Sequence, residues 1–99
     1  MLERDIEKMF TAGLKKLGCL SYKWISPGQD GVPDRIVVLP SGGVVFVELK
    51  TEKGRLSRQQ SAQIRRLRSQ DAAVLVLKGE KDVRAFLDRT NEIIRGGLA

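Results

Sequence analysis

Leu2, Ile6, Met9, Phe10, Leu14 and Leu17 recur at helical spacing, and Gly18 follows them as a stop. The pattern predicts a first helix over residues 2–18. Tyr22-Lys23-Trp24-Ile25 reads as a short strand, and the turn-forming residues 26–31 read as a loop. Residues 34–39 and 44–50 are rich in Val, Ile and Leu, with Pro40-Ser41-Gly42-Gly43 between them, which predicts a β-hairpin. After a polar connection over residues 52–55, Ser57 is placed to cap a helix running to about Gln70, with Gln60, Ile64 and Leu67 on one face. Ala73-Val74-Leu75-Val76-Leu77 is a continuous apolar run, as in a buried strand. Val83, Phe86, Leu87 and Ile94 mark a last helix. The order α-β-β-β-α-β-α predicts an α/β fold with a mixed four-stranded sheet flanked by helices. No repeat or linker divides the chain, so one domain over residues 1–99 is expected.

Composition narrows the chemistry. Eighteen Lys and Arg against twelve Asp and Glu give a net charge of +6, which favours a polyanionic partner, nucleic acid before an anionic membrane. Histidine is absent and cysteine occurs once, at Cys19. Zinc sites built on histidine, Ser-His-Asp triads, Cys-His pairs and intrachain disulfides are thereby excluded. Any bound metal would be held by oxygen, which favours magnesium or manganese. The charged start Met1-Leu2-Glu3-Arg4-Asp5 does not resemble a signal peptide, and no apolar run has membrane-spanning length. A cytoplasmic location is expected. Disorder is expected only at the tail, Gly96-Gly97-Leu98-Ala99.

The hairpin carries the informative residues. Alternate side chains of a strand share a face, so Glu48 and Lys50 point the same way. A three-residue turn over Pro40–Gly42 would set Asp34 opposite Glu48, with β-carbons about 5 Å apart. Two carboxylates that close repel unless a cation intervenes, and a divalent metal or a lysine meets that need. An ordinary exposed Glu–Lys pair is the competing reading. Against it, Val44 and Phe46 share the Glu48 face while Val45, Val47 and Leu49 fill the other. A strand apolar on both faces is central, and charges at its end are costly without partners.

Pro33-Asp34 followed after a hairpin by Glu48-Leu49-Lys50 resembles the core of the PD-(D/E)xK nucleases. Adding an early helix-one glutamate, Gly31-Val32-Pro33-Asp34-Arg35, and Gly54-Arg55-Leu56-Ser57 with Gln60, the chain resembles the VRR-NUC family (virus-type replication-repair nucleases), in particular its stand-alone phage and prophage members. The likeness runs from about Glu3 to the last strand. Arg58 stands where that family often has proline. The resemblance implies a restriction-endonuclease-like core and phosphodiester hydrolysis with Mg2+ or Mn2+. Asp34 and Glu48 would be metal ligands, with the backbone carbonyl of Leu49 beside them. Lys50 would orient or activate the attacking water, or stabilise charge on the phosphate. It also implies DNA as substrate, notably four-way junctions; the small core and single catalytic constellation predict a homodimer, whose two sites would make paired cuts.

Helix one offers two acids. Steps of ~100° per residue put Glu3 roughly 55° from the centre of the apolar stripe and Glu7 about 95° away. Glu3 is the better placed, and matches the family's early glutamate; an acid favoured by the helix dipole is its bland alternative. Gln60 lies on its helix's apolar stripe, which suggests a partner in the site, although a helix-edge glutamine would read the same way. Lys23, Lys53, Arg55 and Arg58 are candidate phosphate contacts, as are Arg65 and Arg68 on the outer side of the same helix; each is equally compatible with a solvated charged face. Trp24 suits the core, a stacked base or a dimer interface. Two other functions fit: a non-catalytic nucleic-acid-binding or assembly protein on the same fold, and a nicking or restriction-type nuclease. The intact Asp34, Glu48, Lys50 set weighs against the first, and the lack of an extra sequence-reading segment against the second.

Overall fold

In the computed structural model, which describes residues 1–96, the elements follow the expected order. They are α1 (Glu3–Lys16), β1 (Leu20–Lys23), β2 (Arg35–Val38), β3 (Val44–Lys50), α2 (Arg58–Ser69), β4 (Val74–Lys78) and α3 (Gly79–Arg95). Of the tail expected to be disordered, residues 97–99 lie outside the described residues.

Two boundaries differ from expectation for identifiable reasons. β1 begins two residues early, because α1 stops sharply. Gly18 takes a left-handed conformation (φ 78°), and the Cys19 N–H bonds back to the Leu14 carbonyl at 3.0 Å. The chain then enters the sheet at once, pairing Leu20 with Val38. Trp24 and Ile25 fall beyond the paired segment, though the Trp24 N–H still reaches the Asp34 carbonyl at 2.8 Å. β2 starts at Arg35 rather than Asp34, immediately after Pro33, which has no N–H to extend a ladder.

The hairpin turn is three residues, Pro40-Ser41-Gly42. The Leu39 N–H bonds to the Gly43 carbonyl at 2.8 Å, and Gly42 supplies the positive φ (97°) that such loops need. This fixes the register from Val38↔Val44 to Arg35↔Val47. Within residues 1–96 the sheet order is β1-β2-β3-β4, antiparallel except for the parallel β3–β4 pair, so β3 is interior.

The two faces of the sheet are covered unequally. α1 and α3 cover the face carrying Val37, Val47, Leu49 and Leu77, and Ile6, Phe10, Leu14, Val83 and Phe86 complete the main core there. The Phe10 and Phe86 rings pack with centroids 5.6 Å apart. α2 lies on the opposite face, against β4, burying Ile64 beside buried Val74. Toward β1 that face is open, and Leu20, Tyr22 and Val44 are exposed. Glu48 belongs to this second face, at the end of the central strand.

Phe10 makes no contact with solvent and joins both helices to the sheet. Phe10→Ala is expected to cost about 3–5 kcal/mol of unfolding free energy in urea titration. A loss below about 1 kcal/mol would place the main core elsewhere.

Candidate active site

The site begins where the β2–β3 ladder ends. Continuing the register one step beyond Arg35↔Val47 sets Asp34 opposite Glu48, and a second step sets Pro33 opposite Leu49. Leu39 and Gly43 are a bonded pair, so by strand periodicity Leu49 turns its N–H and C=O toward β2. Pro33 there is buried and offers no donor. The Asp34 side chain takes over, its Oδ2 accepting the Leu49 N–H at 2.9 Å. A carboxylate is thus locked across the end of the ladder, and the Leu49 carbonyl is directed to the same place. The Pro-Asp dipeptide does both jobs: proline ends the ladder and aspartate fills the gap.

Glu48 is 1% exposed. Its Oε2 accepts from Gln60 Nε2 at 3.0 Å and lies 3.5 Å from Lys50 Nζ. Its Oε1 is buried with no hydrogen-bond partner among the described residues. Burial and the neighbouring Asp34 carboxylate push the Glu48 pKa up to about 7, and Lys50 only partly offsets them. An orphaned carboxylate oxygen beside a second carboxylate is the donor set a hard cation requires, so the residues fit magnesium or manganese. Among the described residues no group of three or more Asp, Glu, His or Cys converges on one point, so further ligands would come from the Leu49 carbonyl, water or substrate.

Gln60 is oriented by the start of its own helix. Ser57 caps α2, its hydroxyl accepting the Gln60 N–H at 3.1 Å, and Gln60 Oε1 accepts the Ser57 N–H at 2.9 Å. This is a capping box with glutamine as its fourth residue. Since the amide oxygen is engaged by Ser57, the amide NH2 is the end left to face Glu48. Gly31 sets the distance between this helix and the Asp34 loop. A β-carbon there would lie 2.4–2.7 Å from the Gln59 and Gln60 backbone, and its φ is +91°. Gly54 packs less tightly on the stem of Lys50, where a β-carbon would meet Cβ at 3.2 Å.

Asp34, Glu48, Leu49, Lys50 and Gln60 therefore come together, as the sequence suggested. Glu3 does not join them: it is exposed in the first turn of α1, with no side-chain bond among the described residues. Glu7, one turn on, pairs with Arg35, the residue next to Asp34. That ion pair was not legible beforehand, because Arg35 was read only as part of a motif. Lys23, Lys53, Arg55 and Arg58 are all exposed. Trp24 is half-buried and stacks on Phe46 at 5.2 Å, on the Glu48 face, so it supports the site's apolar wall. The Gly31 seat and the capping box were also missed. The spacing Ser57-x-x-Gln60 was the available signal for the second.

What the fold and this end of the sheet define together is a nuclease of the PD-(D/E)xK type. Residues 15–81 match the VRR-NUC domain family. The chain is 37% identical over 89 residues to "Putative nuclease p44" of Acyrthosiphon pisum secondary endosymbiont phage 1, covering 90% of this chain and 95% of that one. A solved VRR_NUC domain superposes with a TM-score of 0.73 at 29% identity, covering 94% of both chains. A second, a VRR_NUC domain protein at 13% identity, shares the fold with a TM-score of 0.72 over 94% of this chain and 90% of its own. The chain belongs to the VRR-NUC domain family. The family match includes Asp34, Glu48, Lys50 and Gln60 and begins after Glu3 and Glu7.

The raised pKa of Glu48 has a measurable consequence in chelator. Between about pH 4.5 and 7 the unfolded chain has released this proton while the folded chain keeps it, so stability falls as pH rises through that window. The sequence has no histidine to obscure the interval. Melting temperature is expected to fall from pH 5 to pH 7.5 in the wild type, and to fall less in Glu48→Gln. Identical slopes in the two proteins would show that Glu48 is not the group responsible.

Proposed function

We propose that the protein is a metal-dependent, structure-specific DNA endonuclease acting on four-way junctions as a homodimer. The observation that carries the catalytic part is the Asp34–Glu48 pair, with one buried carboxylate oxygen left unpartnered and Lys50 alongside. Asp34, Glu48 and the Leu49 carbonyl would hold Mg2+ or Mn2+. The bound ion supplies charge neutralisation at the phosphate and an acidified water.

The chain's own groups do the positioning. The Leu49 N–H fixes Asp34, and the Gln60 amide fixes Glu48 in the rotamer that leaves Oε1 free. Lys50, half-buried and held near Glu48, would orient or activate the attacking water, or stabilise charge on the phosphate. Glu3 is the helix-one acid left uncommitted, since Glu7 is engaged by Arg35. The net charge of +6 suits a substrate of several phosphate backbones.

Junction specificity and dimerisation rest on a symmetry argument. One chain carries one such constellation, whereas resolving a junction needs two cuts. A two-fold dimer places equivalent sites on equivalent strands of a nearly two-fold substrate. Leu20 and Tyr22, exposed on the open face of β1, make that strand one candidate contact, and α1 another. A cytoplasmic site of action follows from a DNA substrate, and no helix of the described residues is long and apolar enough to cross a membrane.

Two outcomes are expected. Lys50→Ala should fold and bind DNA but cleave orders of magnitude more slowly, measured by single-turnover cleavage of a labelled junction. Turnover at the wild-type rate would reduce Lys50 to a structural ion pair. On a supercoiled cruciform with Mg2+ or Mn2+, linear product should form without accumulation of nicked circle, and excess EDTA should abolish it. Activity in EDTA would remove the metal, and uncoupled single nicks from a light-scattering monomer would remove the dimeric resolvase.

A further inference from the structure

The charge of this protein is concentrated on one element. α2 carries Arg58, Arg65, Arg66 and Arg68 and no acidic residue, which is four of the chain's six net positive charges. All four are exposed, and none is in an ion pair among the described residues. α3 shows the contrast: its Lys81, Arg84, Arg89 and Arg95 are balanced by Glu80, Asp82, Asp88 and Glu92, with Arg84–Glu80 and Arg89–Glu92 paired. An exposed helix with four cations and no acids repels itself along its length. Arg58 also sits in its first turn, the end where the helix dipole disfavours a cation. The dipole favours Arg66 and Arg68 in the last turn, but no carboxylate among the described residues pairs with any of the four, which leaves their charge complementary to a polyanionic partner.

The helix is aimed as well as charged. Its first turn holds Gln60 against Glu48, so its axis starts at the reacting end of the sheet and runs away from it. Its inward side is Gln60, Ile64 and Leu67. Helical steps of ~100° put Arg58, Arg65 and Arg66 on the side facing away from the sheet. Arg68 is partly committed, its guanidinium donating to the Val74 carbonyl at 2.8 Å. The same charge argues against a second copy of the chain packing α2 on α2, which would face four cations with four.

Resting on the nuclease reading above, we infer that α2 is the seat of one duplex arm of the substrate, its arginines following the phosphates of the strand that leaves the cleaved bond. The occupant is double-stranded DNA bound through its backbone, without base readout. A helix of 12 residues is ~18 Å long, which at ~3.4 Å per phosphate along one strand spans roughly five base pairs. Catalysis and grip are thereby divided: the end of the sheet cuts, and α2 holds the arm on one side of the cut.

The test uses the full chain and synthetic junctions whose four arms are shortened one at a time. For the wild type, shortening the arm on one side of the cut below about five base pairs should raise KM, with little effect from the arm on the other side. Arg65→Gln/Arg66→Gln should raise KM on the order of tenfold at 0.15 M salt, leave kcat unchanged and lose the arm-length dependence. Its affinity should also depend less steeply on salt, the slope of log K against log salt falling by about 1.8 for two lost phosphate contacts. The paired-arginine control Arg84→Gln/Arg89→Gln should behave as wild type. A KM and salt slope unchanged in the α2 variant, or a fall in kcat alone, would overturn the inference while leaving the nuclease intact. A wild-type protein that cuts none of these junctions would instead overturn the nuclease reading itself.

Discussion

Two carboxylates face each other at the end of a buried strand pair, and most of the local structure is arranged around that conflict. Asp34 and Glu48 are opposite in register, and Glu48 has almost no contact with solvent. Left alone, such a pair keeps a proton that an exposed glutamate would lose, which is why the Glu48 pKa rises to about 7. Each fixed contact constrains one part of the pair. The Leu49 N–H holds Asp34, Gln60 holds Glu48, and Lys50 supplies a partial counter-charge. One oxygen, Glu48 Oε1, remains without a hydrogen-bond partner among the described residues. A core built only for stability would not retain that atom, since a buried unpaired acceptor is costly.

The supports reach the site through backbone geometry. Pro33 ends the ladder, so a side chain must take the next N–H. Ser57 begins α2, so the Gln60 amide is held by its oxygen and presents its nitrogen. Gly31 lets the Asp34 loop touch the first turn of α2, joining two elements distant in sequence. The short motifs around the charged residues are therefore the parts that hold them. The same helix that positions Gln60 against Glu48 carries the unpaired arginines, which sets the surface proposed to grip DNA beside the site.

Much of this was legible because strand periodicity is strict. Once the turn is Pro40-Ser41-Gly42, the Asp34–Glu48 register follows by counting, and the apolar residues on both faces of β3 mark it as interior. The helical stripe through Gln60, Ile64 and Leu67 likewise located Gln60. Contacts between elements whose relative placement is tertiary were not legible. Arg35 meeting Glu7 requires knowing how α1 crosses the sheet. A helical wheel gives an azimuth within α1 and no position along the sheet, so it ranked Glu3 above Glu7 without showing what either touches. The β1 boundary differs for a related reason: residues 22–25 read as the strand, whereas the sharp exit from α1 sets where pairing starts.

The most direct test of the carboxylate pair is calorimetric titration of Mn2+ into the protein at pH 6.5 in buffers of different ionisation enthalpy. Binding should be one ion per chain, accompanied by release of a proton, since Glu48 with its pKa near 7 must ionise to ligate. Asp34→Asn and Glu48→Gln should each abolish that binding, while Glu80→Gln on α3 should leave it intact. Undetectable Mn2+ binding by the folded wild type, or binding that survives both site substitutions, would contradict the claim that this pair is built to hold a cation.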